Sequence, residues 1–208
     1  MNAFVLAGGA SSRMGRDKAI LEFQGKPLIQ HALDKLHSLG LPPRIVGSRP
    51  DLTCFAPVVP DNFPQTGPLS GIEAALTISN TEQNLFLAVD LPLLPASFLG
   101  WLADRADLTD ALATVPLLQG HPQPLCAVYS RTLLPHIRSA LASGHAKVMY
   151  VIESATDALR VPIDIFHVES VASALFWPQP VPIHRWFQNI NTPADLQNLM
   201  LEHFVSIE

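Results

Sequence analysis

A glycine-rich loop followed by three cations is the part of the sequence best suited to chemistry on phosphates. The apolar run Phe4–Ala7 leads into Gly8-Gly9, and Arg13, Arg16 and Lys18 follow shortly after. Adjacent glycines let backbone N–H groups approach phosphate oxygens, while an arginine makes a forked contact and a lysine supplies a point charge. The loop therefore predicts a polyphosphate site, and a Gly-rich turn with a solvated charge run is the alternative.

The common nucleotide-binding motifs are absent from this loop. Adjacent Gly8-Gly9 breaks the GxGxxG spacing, and Gly15 is followed by Arg16-Asp17 where a P-loop requires Lys and then Ser or Thr. Neither a dinucleotide-binding fingerprint nor a P-loop is therefore expected.

Two aspartates follow apolar runs that have the character of buried strands. Asp90 ends the run Leu85–Val89, and Asp61 follows Val58–Pro60. Ligands of open α/β sheets bind outside the carboxyl ends of the strands, and Mg²⁺ takes one or two carboxylates together with phosphate oxygens and water. Asp90 is therefore a candidate metal ligand, and Asp61 likewise ends a predicted strand in a carboxylate. The alternatives are a helix N-cap or turn for Asp90 and an Asx turn for Asp61.

The elements that position these residues have the pattern of repeated βα units. Short apolar runs alternate with amphipathic stretches, which predicts an α/β, Rossmann-like three-layer sandwich with a mostly parallel central sheet. The first helix is expected over Pro27–Leu39, which ends before Gly40. The predicted strands are Phe4–Ala7, Arg44–Gly47, Ala56–Val59, Leu85–Val89, Ala111–Val115, Pro124–Tyr129, Ile163–His167 and Trp186–Ile190.

Length and composition favour a folded cytoplasmic protein with small-molecule ligands. The chain has 208 residues, of which 48% are hydrophobic and 15% charged, so disorder is excluded and one domain is expected. A net charge of −5 provides no global basic field, so we expect no nucleic-acid partner and no membrane partner. Cys54 and Cys126 form no zinc or disulfide pattern, and no basic region precedes the first apolar run, so no secretory signal is expected.

Several motifs in chain order together resemble a known family. The first loop, taken with these motifs, is similar to the molybdenum cofactor guanylyltransferases of the nucleotidyltransferase superfamily, and the similarity covers nearly the whole chain. The motifs are Leu6-Ala7-Gly8-Gly9, Ser12-Arg13-Met14-Gly15, Asp17-Lys18, Gly25-Lys26-Pro27-Leu28, Gly67-Pro68-Leu69-Ser70-Gly71, Asp90-Leu91-Pro92 and Asn189-Ile190-Asn191-Thr192-Pro193.

The resemblance implies a fold, a reaction and partners. It implies a nucleotide-diphospho-sugar transferase fold in a single domain 1–208, with a nucleotide-binding half at about 1–116 and an acceptor-binding half at about 117–208. The implied reaction transfers GMP from GTP to the terminal phosphate of molybdopterin or Mo-molybdopterin, releases pyrophosphate and uses Mg²⁺. Molybdoenzymes or molybdenum cofactor insertion proteins are the implied protein partners.

The same resemblance assigns roles to individual residues. It implies Arg13, Lys18 and Asp90 as catalytic residues, with Asp90 also the metal ligand. The implied nucleotide-binding residues are Leu6, Ala7, Gly8, Gly9, Lys18, Asp61, Gly67, Pro68, Leu69 and Asp90. The implied acceptor-binding residues are His121, Asn189 and Asn191. Family members often carry an Asn near the end of the second strand, whereas this chain has Ile45–Arg49 there, so one nucleotide contact stays open.

Three other functions remain open from the residues alone. A molybdopterin cytidylyltransferase and a sugar-1-phosphate nucleotidylyltransferase share the superfamily, and a nucleotide-binding regulatory module would lack turnover. Because Arg13, Lys18 and Asp90 occur together, the sequence favours an enzyme.

Overall fold

A computed structural model describes residues 1–8, 17–174 and 181–190 together with residue 195. The strands among these residues are β1 (Asn2–Leu6), β2 (Glu22–Phe23), β3 (Lys26–Pro27), β4 (Pro43–Val46), β5 (Val58–Val59), β6 (Gln83–Ala88), β7 (Ala113–Leu118), β8 (His121–Pro122), β9 (Cys126–Ser130) and β10 (Asp164–His167). The α-helices are α1 (Leu28–Ser38), α2 (Pro68–Ile78), α3 (Ala96–Thr109), α4 (Leu134–Ala142), α5 (Val148–Leu159) and α6 (Val168–Ala174). Short 3-10 helices cover Lys18–Ile20, Pro50–Cys54, Arg131–Leu133 and Ile183–Arg185.

The main sheet is mostly parallel, as predicted. Its strand order is β10-β7-β9-β6-β1-β4-β5, and β8 pairs with β7 outside this path. The pairs of β1 with β4, β1 with β6, β4 with β5 and β10 with β7 are parallel. β9 is antiparallel to both of its neighbours, β6 and β7. The carboxyl ends of β1, β4, β5 and β6 therefore lie at the same edge of the sheet.

The sheet is buried on both faces, which explains the unbroken apolar runs of its central strands. Alternate residues of β1 point to opposite layers: Val5 joins the core with α1 and α3, and Phe4 joins the core with α2, α4 and α5. Val5 lies opposite Leu87 of β6 on one side and Ile45 of β4 on the other. Each of these three side chains has no solvent-exposed surface. This arrangement confirms the three-layer sandwich.

The first helix lies where the apolar spacing predicts it. One face of α1 buries Leu28, Ile29 and Leu33 against the sheet. The helix ends at Ser38, and Gly40, which follows the C-cap residue Leu39, has a φ of +73° and donates its N–H to the carbonyl of His37 at 2.9 Å. No helix among the described residues is long and apolar enough to cross a membrane.

The predicted strand Trp186–Ile190 is wrong, because this segment is a turn and a coil that follow the 3-10 helix Ile183–Arg185. Trp186 is 1% exposed, its ring centroid lies 5.4 Å from that of Phe98 on α3, and its indole N–H donates to the Val181 carbonyl. Trp186 is thus buried by packing on a helix and not by pairing in the sheet.

Candidate active site

The carboxyl ends of the central strands form a cavity of about 780 Å³. The main-sheet strands that follow β1 in the chain, β4 and β5, lie on one side of it, and the next strand, β6, lies on its other side. The strand order therefore reverses at β1. Such a reversal opens a crevice beyond the strand ends, where ligands of α/β sheets bind. The predicted nucleotide-binding residues that line the cavity are Leu6, Ala7, Gly8, Lys18, Asp61, Gly67, Pro68 and Asp90.

Asp90 and Lys18, predicted from separate motifs, lie together in this cavity. Nζ of Lys18 lies 3.4 Å from Oδ2 of Asp90, and both side chains are half-buried. Lys18 begins a 3-10 helix that Asp17 caps by accepting the backbone N–H of Ala19 at 3.0 Å. The cap fixes the direction in which Lys18 leaves the loop. A carboxylate and an ammonium group therefore share one wall of the cavity.

Arg49 is a cavity residue that the sequence reasoning missed. It follows the end of β4, and its Nη1 donates to Oδ1 of Asp17 at 2.9 Å, while a second, shorter contact joins Nη2 to Oδ2 of the same carboxylate. The opposite side of the guanidinium binds Asp51, with Nε donating to Oδ1 at 2.9 Å and Nη2 to Oδ2 at 2.6 Å. Arg49 thus ties the β4 loop to the residue that precedes Lys18. The signal available in the sequence was a cation directly after a strand end.

Asp61 presents a half-buried carboxylate at the other side of the cavity. Its carboxylate accepts the backbone N–H of Ser48, and burial nevertheless raises the pKa of Asp61 above its ordinary value. Glycines surround it: a Cβ built on Gly8 would lie 3.6 Å from one carboxylate oxygen, and a Cβ on Gly71 would lie 3.6 Å from the other. The carboxylate is therefore an acceptor with small neighbours on both sides.

The loop behind Asp61 is held by a buried carboxylate on α2. Glu73 is 1% exposed and accepts hydrogen bonds from Asn62 at 2.8 Å, Thr77 at 2.9 Å and Arg138 at 2.7 Å. Burial alone would raise the pKa of Glu73, but the hydrogen bonds from Arg138, Asn62 and Thr77 together hold it below its ordinary value. Because Asn62 directly follows Asp61, Glu73 fixes the backbone that carries the cavity carboxylate.

A close backbone contact between two loops requires glycine at the end of the second strand, β4. Gly47 has a φ of +138°, and a Cβ there would lie 2.9 Å from the backbone nitrogen of Gly8 and 3.0 Å from its Cα. A side chain at Gly47 would therefore strain the backbone and collide with the first loop. The segment in which the resembling family often carries an Asn thus brings the β1 and β4 loops into direct contact.

The start of α2 forms a further wall of the cavity. Gly67, with a φ of +77°, precedes the helix, Pro68 occupies its first turn, and both residues line the cavity. The positive end of the helix dipole therefore lies at the cavity. Leu69 does not line it, because its side chain is fully buried in the core.

The predicted acceptor residues are only partly brought to the cavity. Asn189 is exposed and lies next to Ile190, whose backbone N–H donates to the carbonyl of Asp90 at 3.1 Å. His121 is exposed on β8 and does not line the cavity. Three further predicted residues, Gly9, Arg13 and Asn191, lie outside the described residues.

The described residues fit a metal that is held mainly by its nucleotide. No group of three or more His, Cys, Asp or Glu side chains among them could enclose an ion. Asp90 offers one carboxylate in a cavity lined by Lys18 and the glycine of the first loop. One carboxylate with phosphate oxygens and water is a common set of ligands for Mg²⁺, whereas Zn²⁺ requires three or four protein ligands.

The mostly parallel sheet, and the cavity at the carboxyl ends of its central strands where a carboxylate lies beside a lysine, fit a nucleotidyltransferase, a class of enzyme that generally needs a divalent metal. Residues 3–159 match the MobA-like NTP transferase domain, and the chain therefore belongs to this family.

Relatives of known name match along most of the chain. A probable molybdenum cofactor guanylyltransferase from Pyrococcus furiosus is 34% identical over 202 residues, which are 94% of this chain and 94% of the relative. A molybdenum cofactor guanylyltransferase from Vibrio cholerae is 33% identical over 158 residues, 72% of this chain and 75% of the relative. The crystal structure of molybdopterin-guanine dinucleotide biosynthesis protein A from Archaeoglobus fulgidus has a TM-score of 0.75 at 24% identity, covers 100% of both chains and shares the fold.

Proposed function

We propose that this chain transfers GMP from GTP to the terminal phosphate of molybdopterin or Mo-molybdopterin, which forms molybdopterin guanine dinucleotide and pyrophosphate. The observation that carries the proposal is that relatives with this activity in their names match along most of both chains. The cavity supports the proposal, because the Asp61 carboxylate, which can accept hydrogen bonds, lies on one side and the Lys18–Asp90 pair lies on the other.

The chemistry of Asp61 suits guanine. A guanine edge offers N1–H and N2–H₂ as neighbouring donors, and a carboxylate has two oxygens that can accept both. The other bases do not present two adjacent donors on that edge. We therefore assign Asp61 to the guanine edge, with Gly8 placing no side chain beside the carboxylate.

The transfer requires no nucleophile from the protein. An oxygen of the acceptor phosphate, already an anion at neutral pH, attacks the α-phosphorus of GTP. The bond from that phosphorus to the bridging oxygen of the β-phosphate breaks, and pyrophosphate leaves with the electron pair. The chain must therefore align two anions and stabilise the charge on the leaving group. Lys18 supplies positive charge, and Arg13 and Gly9 are assigned to the same phosphates.

Mg²⁺ is the metal assigned to Asp90. When bound with GTP, it would neutralise charge on the phosphate oxygens near the reacting phosphorus. Asp90 is suited to hold it because its carboxylate is half-buried in the cavity, beside the lysine assigned to the phosphates.

The acceptor is assigned to the half of the chain at about 117–208. Leu125, from this half, lines the same cavity as the nucleotide residues. Asn189 directly precedes Ile190, whose N–H donates to the Asp90 carbonyl, and with Asn191 and His121 it is proposed to contact the pterin or its phosphate. We propose that molybdopterin guanine dinucleotide is then released to a molybdoenzyme or a molybdenum cofactor insertion protein.

A comparison of four nucleotides tests the assignment. We expect GTP to bind more tightly than CTP, ATP or UTP in isothermal titration, and pyrophosphate to be released only when GTP and molybdopterin are both present. Tightest binding of CTP would contradict the guanine assignment and favour a cytidylyltransferase. Turnover with a sugar 1-phosphate but not with molybdopterin would overturn the acceptor, and binding of GTP without turnover would favour a regulatory module.

A further inference from the structure

Lys35, on α1, reaches the turn that follows Asp90. Its Nζ donates to the backbone carbonyl of Leu91 at 2.7 Å and to that of Pro92 at 2.8 Å. Among the described residues, no carboxylate lies within salt-bridge distance of Lys35. Its two bonds are therefore made to the backbone of the segment that carries the predicted metal ligand.

Three consecutive carbonyls of this turn are bound by groups from other parts of the chain. The Asp90 carbonyl accepts the N–H of Ile190 at 3.1 Å, and those of Leu91 and Pro92 accept the two bonds from Lys35. With all three carbonyls held, the peptide planes of the turn cannot rotate without breaking a hydrogen bond. The direction of the Asp90 side chain depends on those planes.

If packing were the only role of Lys35, an apolar side chain at this position would destabilise the fold less. The ammonium group of Lys35 lies inside the protein although the residue as a whole is half-buried, and burial lowers its pKa to about 7. Near it lies the buried thiol of Cys126, which offers little compensation because burial raises its pKa to about 12 and keeps it neutral at neutral pH. Burying a cation without a carboxylate partner destabilises the fold. The two hydrogen bonds from Lys35 to the turn are therefore expected to have a role beyond packing.

We infer that Lys35 is a positioning residue for Asp90, which holds the Asp90–Pro92 turn so that the carboxylate faces the metal and the nucleotide phosphates. Lys35 contacts neither metal nor substrate. The inference rests on the proposed function only in taking Asp90 as the metal ligand. Partners of this kind behind a metal ligand typically contribute about 10- to 100-fold to metal affinity.

Lys35→Met tests the inference, because methionine retains most of the length of the side chain and removes both donors. Mn²⁺, followed by electron paramagnetic resonance in the presence of GTP, is the probe of metal binding. We expect Lys35→Met to bind Mn²⁺ about 10- to 100-fold more weakly, with metal-free GTP binding unchanged. Lys35→Gln keeps a donor, and we expect its affinity to lie between those of Lys35→Met and the wild type.

Two controls separate positioning from general stability. Ile29→Val removes a buried methylene from the same helix, and Lys26→Met removes an exposed lysine near its start, so neither should change the Mn²⁺ affinity. If Lys35→Met loses stability like Ile29→Val and binds Mn²⁺ like the wild type, the inference is wrong. If Lys35→Met does not fold, Lys35→Gln decides the question. The inference is then wrong if Lys35→Gln binds Mn²⁺ with wild-type affinity and its turn amides exchange at the wild-type rate.

A second measurement distinguishes failure of this inference from failure of the proposed metal site. Asp90→Asn should abolish the GTP-dependent Mn²⁺ signal, and its persistence would overturn the assignment of Asp90 as the metal ligand. Even if Asp90 is not the metal ligand, hydrogen exchange at Leu93 and Leu94 tests whether Lys35 holds the turn. These amides should exchange faster in Lys35→Met than in the wild type. Unchanged exchange would show that Lys35 does not hold the turn.

Discussion

Asp61→Asn should weaken GTP binding strongly while leaving the fold intact. The amide oxygen of asparagine can still accept the N–H of Ser48, but its NH₂ group would face the donors of guanine. A hydrogen bond to a charged acceptor contributes about 1.5–3 kcal/mol, which corresponds to about 10- to 150-fold in the dissociation constant. CTP binding should change less, so the ratio of the CTP dissociation constant to the GTP dissociation constant should fall.

The raised pKa of Asp61 determines what the substitution does to stability. Because burial raises the folded-state pKa, the ionised carboxylate disfavours folding once the pH rises through that pKa. At pH 7 the neutral amide removes this cost, so Tm should be equal to or higher than that of the wild type. At a pH below the ordinary pKa of aspartate the two proteins should have the same stability.

Isothermal titration with GTP and CTP, together with thermal melting at about pH 3, below the ordinary pKa of aspartate, and at pH 7, measures both effects. Asp107→Asn is the matched control, because Asp107 is exposed on α3 and does not line the cavity. GTP binding of Asp61→Asn equal to that of the control would refute the role of Asp61 in the nucleotide site. A Tm at pH 7 several degrees below that of the control would refute the argument from burial.

Other substitutions test the cavity and its supports. Lys18→Met should lower the rate of pyrophosphate release by about 10²–10³-fold with unchanged circular dichroism, because it removes one preorganised donor. Gly8→Ala should melt like the wild type, since its Cβ would make only ordinary contacts at 3.6 Å, but it should bind GTP about tenfold or more weakly. Gly47→Ala should instead lose about 1–3 kcal/mol and melt about 2–12 °C lower. Arg138→Met should lower Tm at pH 7 by removing a partner of Glu73, and the difference should shrink in melts at lower pH as Glu73 becomes protonated in the wild type.

The strand-end residues of the site could be predicted because their signal is local. A run of apolar residues that ends in Asp90, and another that ends in Asp61, indicate buried parallel strands whose carboxyl ends meet. The predictions of the central sheet and of the first helix are confirmed, and Gly8 lines the cavity. The roles of these residues in binding remain predictions.

The supporting residues could not be predicted because their partners are distant in sequence. Arg49 meets Asp17 only because β4 lies beside β1, and Lys35 has the spacing of an ordinary polar residue on an amphipathic helix. The strand predicted at Trp186–Ile190 is wrong for a related reason. Aromatic residues are common in strands, but here the tryptophan is buried against Phe98 by tertiary packing.

The two sides of the cavity belong to parts of the sheet that differ in resistance to local opening. Asp90 follows β6, a central strand paired on both sides, whereas Asp61 follows β5, a two-residue strand at the edge of the sheet. Amides in short edge strands exchange through small local openings, while those of central strands require global unfolding. GTP should therefore slow exchange at Val59 much more than at Leu87, so that the base-reading side becomes ordered by the ligand while the phosphate side is already rigid.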